Sequence, residues 1–167
     1  MLKIKCLLAT SCLALTTIAL ADTTISMNFT SENGTGESAG TIVISEKYNG
    51  LLFTPDLHGL TPGAHGFHIH QNPSCDKNGM AAGTHFDPNN TGKHLGPYND
   101  DGHNGDLPVL YVNSDGTATT PVFAPRLRHI TDISQHALMV HNGGDNYSDA
   151  PEKLGGGGAR MVCGVIN

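Results

Sequence analysis

Tryptophan is absent from this chain of 167 residues, and tyrosine and phenylalanine together contribute only nine. The stacking platforms on which single-stranded nucleic-acid binders rely are therefore missing. Basic residues are also scarce, nine Lys and Arg against 15 Asp and Glu, for a formal charge of −6. A surface of that sign argues against nucleic acid, and against stable association with an anionic membrane. No segment shows convincing helical periodicity. What the sequence does have is glycine (21), proline (nine) and ten histidines.

Residues 1–21, MLKIKCLLATSCLALTTIALA, have the layout of a cleaved export signal. Lys3 and Lys5 supply a basic start, an apolar stretch follows, and Ala19-Leu20-Ala21 is a small-x-small cleavage site before Asp22. The stretch is short for a membrane span and is interrupted by Thr10, Ser11, Thr16 and Thr17. A lipid-modified Cys12 is the other reading, although Ala9-Thr10-Ser11 matches a lipobox poorly. Cleavage predicts a single domain over 22–167, located in the periplasm or otherwise exported. Loss of Lys3 and Lys5 leaves seven basic residues against 15 acidic ones, a formal charge of −8. It also leaves two cysteines, Cys75 and Cys163. In an exported chain two cysteines most simply form one disulfide, and two separate buried thiols are the alternative.

Short alternating runs punctuated by turn residues fill the rest. TTISMNFT and GTIVISEKY flank SENGTGES and read as a hairpin. GLLFTPDLHG is a further strand whose Pro55 points to an edge or bulge position. LTPGAHG reads as a turn into HGFHIH. Two runs surround Asn-Ser-Asp-Gly at 113–116, and HALMVH and RMVCGVI complete the set. About eight short strands and no helix predict an all-β fold, an eight-stranded sandwich or barrel. Residues 71–105 and 142–159 do not read as strands, and loops of that length in a compact domain are usually functional.

The histidines concentrate in and beside those loops. On a strand, residues two apart share a face roughly 6.5–7 Å apart, so His68 and His70 project together while Phe67 and Ile69 face the core. His65 has the opposite parity and is not expected to be a ligand. The H-x-H pair alone is a weak signal. His85, His94 and His103 follow at intervals of nine, with Asp106 in HNGD, and three imidazoles plus a carboxylate suit zinc. His141 ends HALMVH before a glycine-rich loop and could join His68 and His70, and all-nitrogen ligation of that kind suits copper(II).

GFHIH, CDKNGMAAGTHFDP, GKHLGPY, GHNGDLP, HALMVHNGGDNYSD and LGGGGARMVCGVI, in this order, resemble the copper–zinc superoxide dismutases, and among them the exported bacterial branch. The resemblance runs over nearly all of residues 23–167. It implies a Greek-key barrel with two long functional loops and the dismutation of superoxide anion to oxygen and hydrogen peroxide. It implies one copper per chain on His68, His70, His85 and His141, and one zinc on His85, His94, His103 and Asp106, with His85 bridging the two. It makes Asp145 the carboxylate that orients one histidine of each set. It makes Arg160 the guanidinium beside the copper and Cys75–Cys163 the family disulfide. Arg160 and His85 would be the catalytic residues.

An anionic substrate and a negative chain are compatible, because salt screens exposed charges beyond roughly 8 Å and the field at the site is set locally. Arg160 is one source of that field. Lys153, beside Glu152 in the 142–159 loop, is either a second source or an ordinary solvated lysine. An alternative function on the same ligands is copper storage or delivery outside the cytoplasm, which has no need of Arg160 or a full zinc set. Monomer and homodimer both remain open: Leu110 or Tyr111 could face a partner or lie on ordinary barrel surface.

Overall fold

The computed structural model describes residues 22–34 and 36–167, so the leader expected over 1–21 lies outside the described residues. Nine strands run in chain order: β1 (Thr23–Phe29), β2 (Ser38–Lys47), β3 (Gly50–Leu57), β4 (Gly63–His65), β5 (Phe67–His70), β6 (Leu110–Val112), β7 (Val122–Ala124), β8 (His136–His141) and β9 (Arg160–Ile166). Seven form one antiparallel sheet in the order β5-β8-β9-β1-β2-β3-β7, and β4 pairs with β6 in a second. The additional strand comes from LTPGAHG: residues 63–65 pair with 110–112, and Gly66 separates them from β5. Among the described residues the only helical pieces are three short 3₁₀ turns, at Met80–Ala82, Ile130–Ile133 and Lys153–Gly156.

The large sheet curls onto itself. Phe53 of β3 and Phe67 of β5, near its two ends, meet edge to face with ring centroids 5.7 Å apart. Around this pair pack Met27, Ile42, Ile44, Leu51, Ile69 and Leu138, all fully buried. Pro55 sits within β3, between two patches of pairing on that strand's second edge. Phe53 is paired with Val122 and Leu57 donates to the Ala118 carbonyl, while Pro55 between them meets no partner on that side. A residue without an N–H is tolerated at such a gap in the ladder.

Both faces of β5 are buried, although only Phe67 and Ile69 belong to the barrel core. The other face is covered by the long loop that follows. That loop runs back along the free edge of β5: Phe86 N–H donates to Ile69 O, Ile69 N–H to Gly105 O, and Leu107 N–H to Phe67 O. The edge is thereby satisfied. The pairing sets His85 opposite His70 and Asp106 opposite His68. Gly105 is required by this arrangement, since a Cβ there would lie 2.8 Å from the Phe86 nitrogen.

A bulge aims Arg160. Val140 pairs with Val162, but His141 pairs with Arg160, which leaves Met161 as an extra residue in β9. Regular alternation would give Arg160 the inward parity of Val162. The bulge reverses it, so Met161 packs against the core and Arg160 turns outward to the loop. Cys163 also faces outward and is bonded to Cys75, which fixes the start of the loop on β9 across 88 residues.

Closing a loop of that size restrains the unfolded chain by roughly 4–5 kcal/mol on the chain-entropy model. The double substitution Cys75→Ser/Cys163→Ser is expected to lower the unfolding free energy by about 2–5 kcal/mol, read as a fall in the denaturant midpoint. An unchanged midpoint would show that the loop is held without the disulfide.

Candidate metal centre

Seven side chains expected to be ligands converge in two groups that share one member. Ligand atoms of His68, His70, His85 and His141 lie within 4.8 Å of one another, as do those of His85, His94, His103 and Asp106. All seven residues are buried. The rings of His68 and His70 are 6.3 Å apart on the outer face of β5, as the strand period requires.

The hydrogen bonds assign the free nitrogen of each ring. His70 Nδ1 donates to Gly83 O at 3.0 Å and His141 Nδ1 to Gly158 O at 3.3 Å. Their Nε2 atoms face each other at 3.3 Å. His68 Nε2 donates to Asp145 Oδ2 at 2.8 Å, and His94 Nε2 to Asp145 Oδ1 at 2.7 Å. Asp145 thus holds one ring of each group, and its side chain is fully buried. His85 is different. Its Nδ1 points to Asp106 Oδ1 at 2.9 Å, inside the second group, and its Nε2 points into the first.

Five buried atoms in this cluster have no hydrogen-bond partner: His68 Nδ1, His85 Nε2, His94 Nδ1, His103 Nδ1 and Asp106 Oδ2. His94 Nδ1 and His103 Nδ1 do lie 3.0 and 3.4 Å from Asp106 Oδ1, but neither is aligned to hydrogen-bond with it. Three imidazole nitrogens crowded on one carboxylate fit a cation among them far better than a hydrogen-bond network. Orphaned buried polar atoms are rare, and among the described residues all but one, Ser31 Oγ, belong to the two ligand sets. The residues present therefore fit two metal ions: an all-nitrogen set suited to copper, and an N₃O set suited to zinc.

Burial disfavours the charged imidazole in both groups, and only at His94 do neighbouring carboxylates overcome it. Desolvation, reinforced by the neighbouring rings, holds His68 and His70 well below the usual histidine range and lowers His141 to about 4. His85 is lowered too, chiefly by desolvation. Desolvation would also lower His94, but the Asp106 and Asp145 carboxylates beside it prevail and raise it to about 9. The Asp106 carboxyl is depressed despite its burial, because His103, His85 and His94 surround it.

His65, whose strand parity excludes it from the ligand face, lies outside both groups. Its ring bonds to His141 O and Thr61 O, both at 2.7 Å. Other contributors were missed. The Gly83 carbonyl accepts from His70 Nδ1 and also from Arg160 Nη2, at 2.5 Å, while Arg160 Nη1 bonds Gly79 O at 2.5 Å. Gly83 adopts φ 77°, ψ −152°, a conformation essentially reserved for glycine. Asp149 accepts the His94 backbone N–H at 2.8 Å, and the Tyr147 hydroxyl accepts from Val109 N–H at 3.1 Å. Backbone carbonyls and loop-to-loop ties leave no sequence pattern. A cavity of about 450 Å³ opens onto the first group, walled by His70, His85, His141, Lys153, Glu152 and Arg160.

The chain matches the family model described as copper/zinc superoxide dismutase over residues 38–166. It is 57% identical over 151 residues to a superoxide dismutase [Cu-Zn] 1 of Salmonella typhimurium, covering 86% of this chain and 85% of that one. Among solved structures it is similar to the Cu/Zn superoxide dismutase from Brucella abortus (TM-score 0.83, 53% identity, 88% of this chain and all of that one). It is also similar to the monomeric copper, zinc superoxide dismutase from Salmonella enterica (TM-score 0.77, 55% identity, 88% of this chain and all of that one).

Two outcomes follow for the metal-free chain and for Asp145. Histidines held below 6.5 oppose folding in acid, so stability rises with pH up to about 6.5. His94, raised to about 9, stabilises fully below 6.5, and that contribution is lost as pH rises through 9. Denaturant titrations of metal-free protein should therefore peak near neutrality, whereas a monotonic rise to pH 9 would contradict the His94 assignment. Asp145→Asn should weaken retention of both metals, by about 10- to 100-fold in affinity, measured by competition with chelators.

Proposed function

The chain belongs to the copper/zinc superoxide dismutase family, and from that membership we propose how its residues divide the work. It is an enzyme with copper and zinc as cofactors, and it converts two superoxide anions and two protons into oxygen and hydrogen peroxide. We assign copper to His68, His70, His85 and His141, and zinc to His85, His94, His103 and Asp106. The observation that carries this assignment is His85, whose two ring nitrogens point into different ligand groups. When bound, copper supplies one-electron redox chemistry, and zinc supplies a fixed positive charge beside it.

The protein's own groups deliver the substrate and one of the two protons. Arg160 lies on the wall of the cavity that leads to the first group, half-buried, with two of its nitrogens fixed by the Gly79 and Gly83 carbonyls. A guanidinium held in this way presents a set orientation to an incoming anion. Because Gly83 O also fixes His70, the anion-binding group and a copper ligand share one anchor. His85 Nε2 faces the same cavity with no protein group competing for it. It is the atom we assign to carry one proton to the second superoxide, which takes the other from water and leaves as hydrogen peroxide. Asp145 orients His68 and His94. Lys153 and Glu152 both line the cavity, so their charges oppose each other and Arg160 dominates the local field. The storage or delivery alternative gains no support from the relatives, which are named as dismutases.

We further propose that residues 1–21 direct export and that the mature enzyme is a single domain over 22–167 acting in the periplasm. The Cys75–Cys163 disulfide supports an oxidising compartment. N-terminal sequencing of exported protein should begin at Asp22, and a chain starting at a lipid-modified Cys12 would overturn that boundary.

A hydrogen bond to a charged partner is worth roughly 1.5–3 kcal/mol, so Arg160→Ala should lower the second-order rate by about 10- to 100-fold with both metals retained. Arg160→Lys should fall between, keeping charge but losing the planar fork. Arg160→Glu should be slowest, with a rate that rises as salt screens the repulsion. Pulse radiolysis against ionic strength, normalised to copper, gives these rates; equal rates in all four proteins would remove Arg160 from the mechanism.

A further inference from the structure

His85 is reached by two cavities, not one. Beside the copper-side opening lies a second, of about 500 Å³, whose walls include Thr84, His85, Asp87, Asn90, His103 and His136. It opens on the zinc side of the centre and is as large as the first, and the mechanism makes no use of it.

The four residues assigned to zinc are not equally held. The side chains of His85, His94 and Asp106 are fully buried, whereas that of His103 retains 6% exposure. A ligating histidine almost always donates its other N–H to a carboxylate or carbonyl. His68 and His94 donate to Asp145, His70 to Gly83 O, and His141 to Gly158 O. His85 has both nitrogens committed to the ligand groups. Nε2 of His103 has no such partner among the described residues, and its ring lines the second cavity. Its backbone, by contrast, is firmly placed. Its N–H donates to Lys93 O at 3.0 Å, and Arg126 donates to the carbonyls of His103 and Gly102, both at 2.9 Å, and to Asn104 Oδ1 at 3.1 Å. A fixed backbone with an untethered ring permits rotation of the side chain without movement of the loop.

We propose that zinc enters and leaves through this second cavity, with His103 the ligand that yields first, and that copper exchanges through the Arg160 side. The inference rests on the assignment of His85, His94, His103 and Asp106 to zinc. It gives the enzyme separate doors for its two metals, so zinc can be exchanged without passing the redox centre.

The test uses the mature protein loaded with copper and zinc, one of each per chain. It is mixed with excess EDTA, desalted at intervals, and the metal left on the protein is measured by atomic emission. Thr84 and Gln71 are exposed and line the zinc-side cavity, while Met80 is 63% exposed and lines the copper-side one. Thr84→Trp should slow zinc loss by about tenfold and leave copper loss unchanged, and Met80→Trp should do the reverse. Gln71→Trp repeats the first test should Thr84→Trp fail to fold. Zinc loss that neither Thr84→Trp nor Gln71→Trp slows, or that Met80→Trp slows equally, overturns the route. The zinc assignment is checked separately, by metal analysis before EDTA is added. A chain that holds copper but never retains zinc overturns the assignment and the route with it.

Discussion

Five buried polar atoms without partners are the constraint on which this structure turns. Each such atom costs about 1–3 kcal/mol, a sum comparable to the whole stability of a domain. All five lie on histidines and an aspartate of β5 and the long loop that follows it. Metal binding would offset that cost. The sandwich folds by burial of Phe53, Phe67 and their neighbours. The loops are ordered by cross-links: the disulfide, the Asp145 carboxylate, the Gly83 carbonyl and the ligand sets.

These cross-links tie function to architecture at specific points. The pairing of loop residues along the free edge of β5 sets His85 opposite His70 and Asp106 opposite His68, so edge protection and metal-site assembly are the same hydrogen bonds. The bulge at Met161 turns Arg160 from the core to the cavity. Gly83 then anchors both Arg160 and His70. A disturbance of the loop between Cys75 and Gly83 would therefore reach Arg160 and His70 together, the residues proposed for substrate binding and copper ligation.

Much of this was legible in the sequence. The alternation of Phe67 and Ile69 with His68 and His70 gives the strand and its two faces, and the spacing of His85, His94, His103 and Asp106 gives the second ligand set. The ordered motifs gave the family, and with it Asp145 and Arg160. What was not legible is backbone work. The strand at 63–65 is hidden in Gly63-Ala64-His65, because three residues are too few to show alternation. The Gly83 carbonyl, the bulge at Met161 and the tie from Asp149 to the His94 N–H depend on where the chain turns, which no side-chain pattern records. The untethered ring of His103 likewise depends on where the loop backbone places it.

The central claim is that one ring, His85, belongs to both metal sites. Anomalous scattering from crystals of the loaded protein, collected at the copper and zinc edges, tests it most directly. Two ions of different element should lie on either side of the His85 ring, copper toward His70 and His141 and zinc toward Asp106. Two ions with no histidine between them, or a single ion shared by all seven side chains, would contradict it.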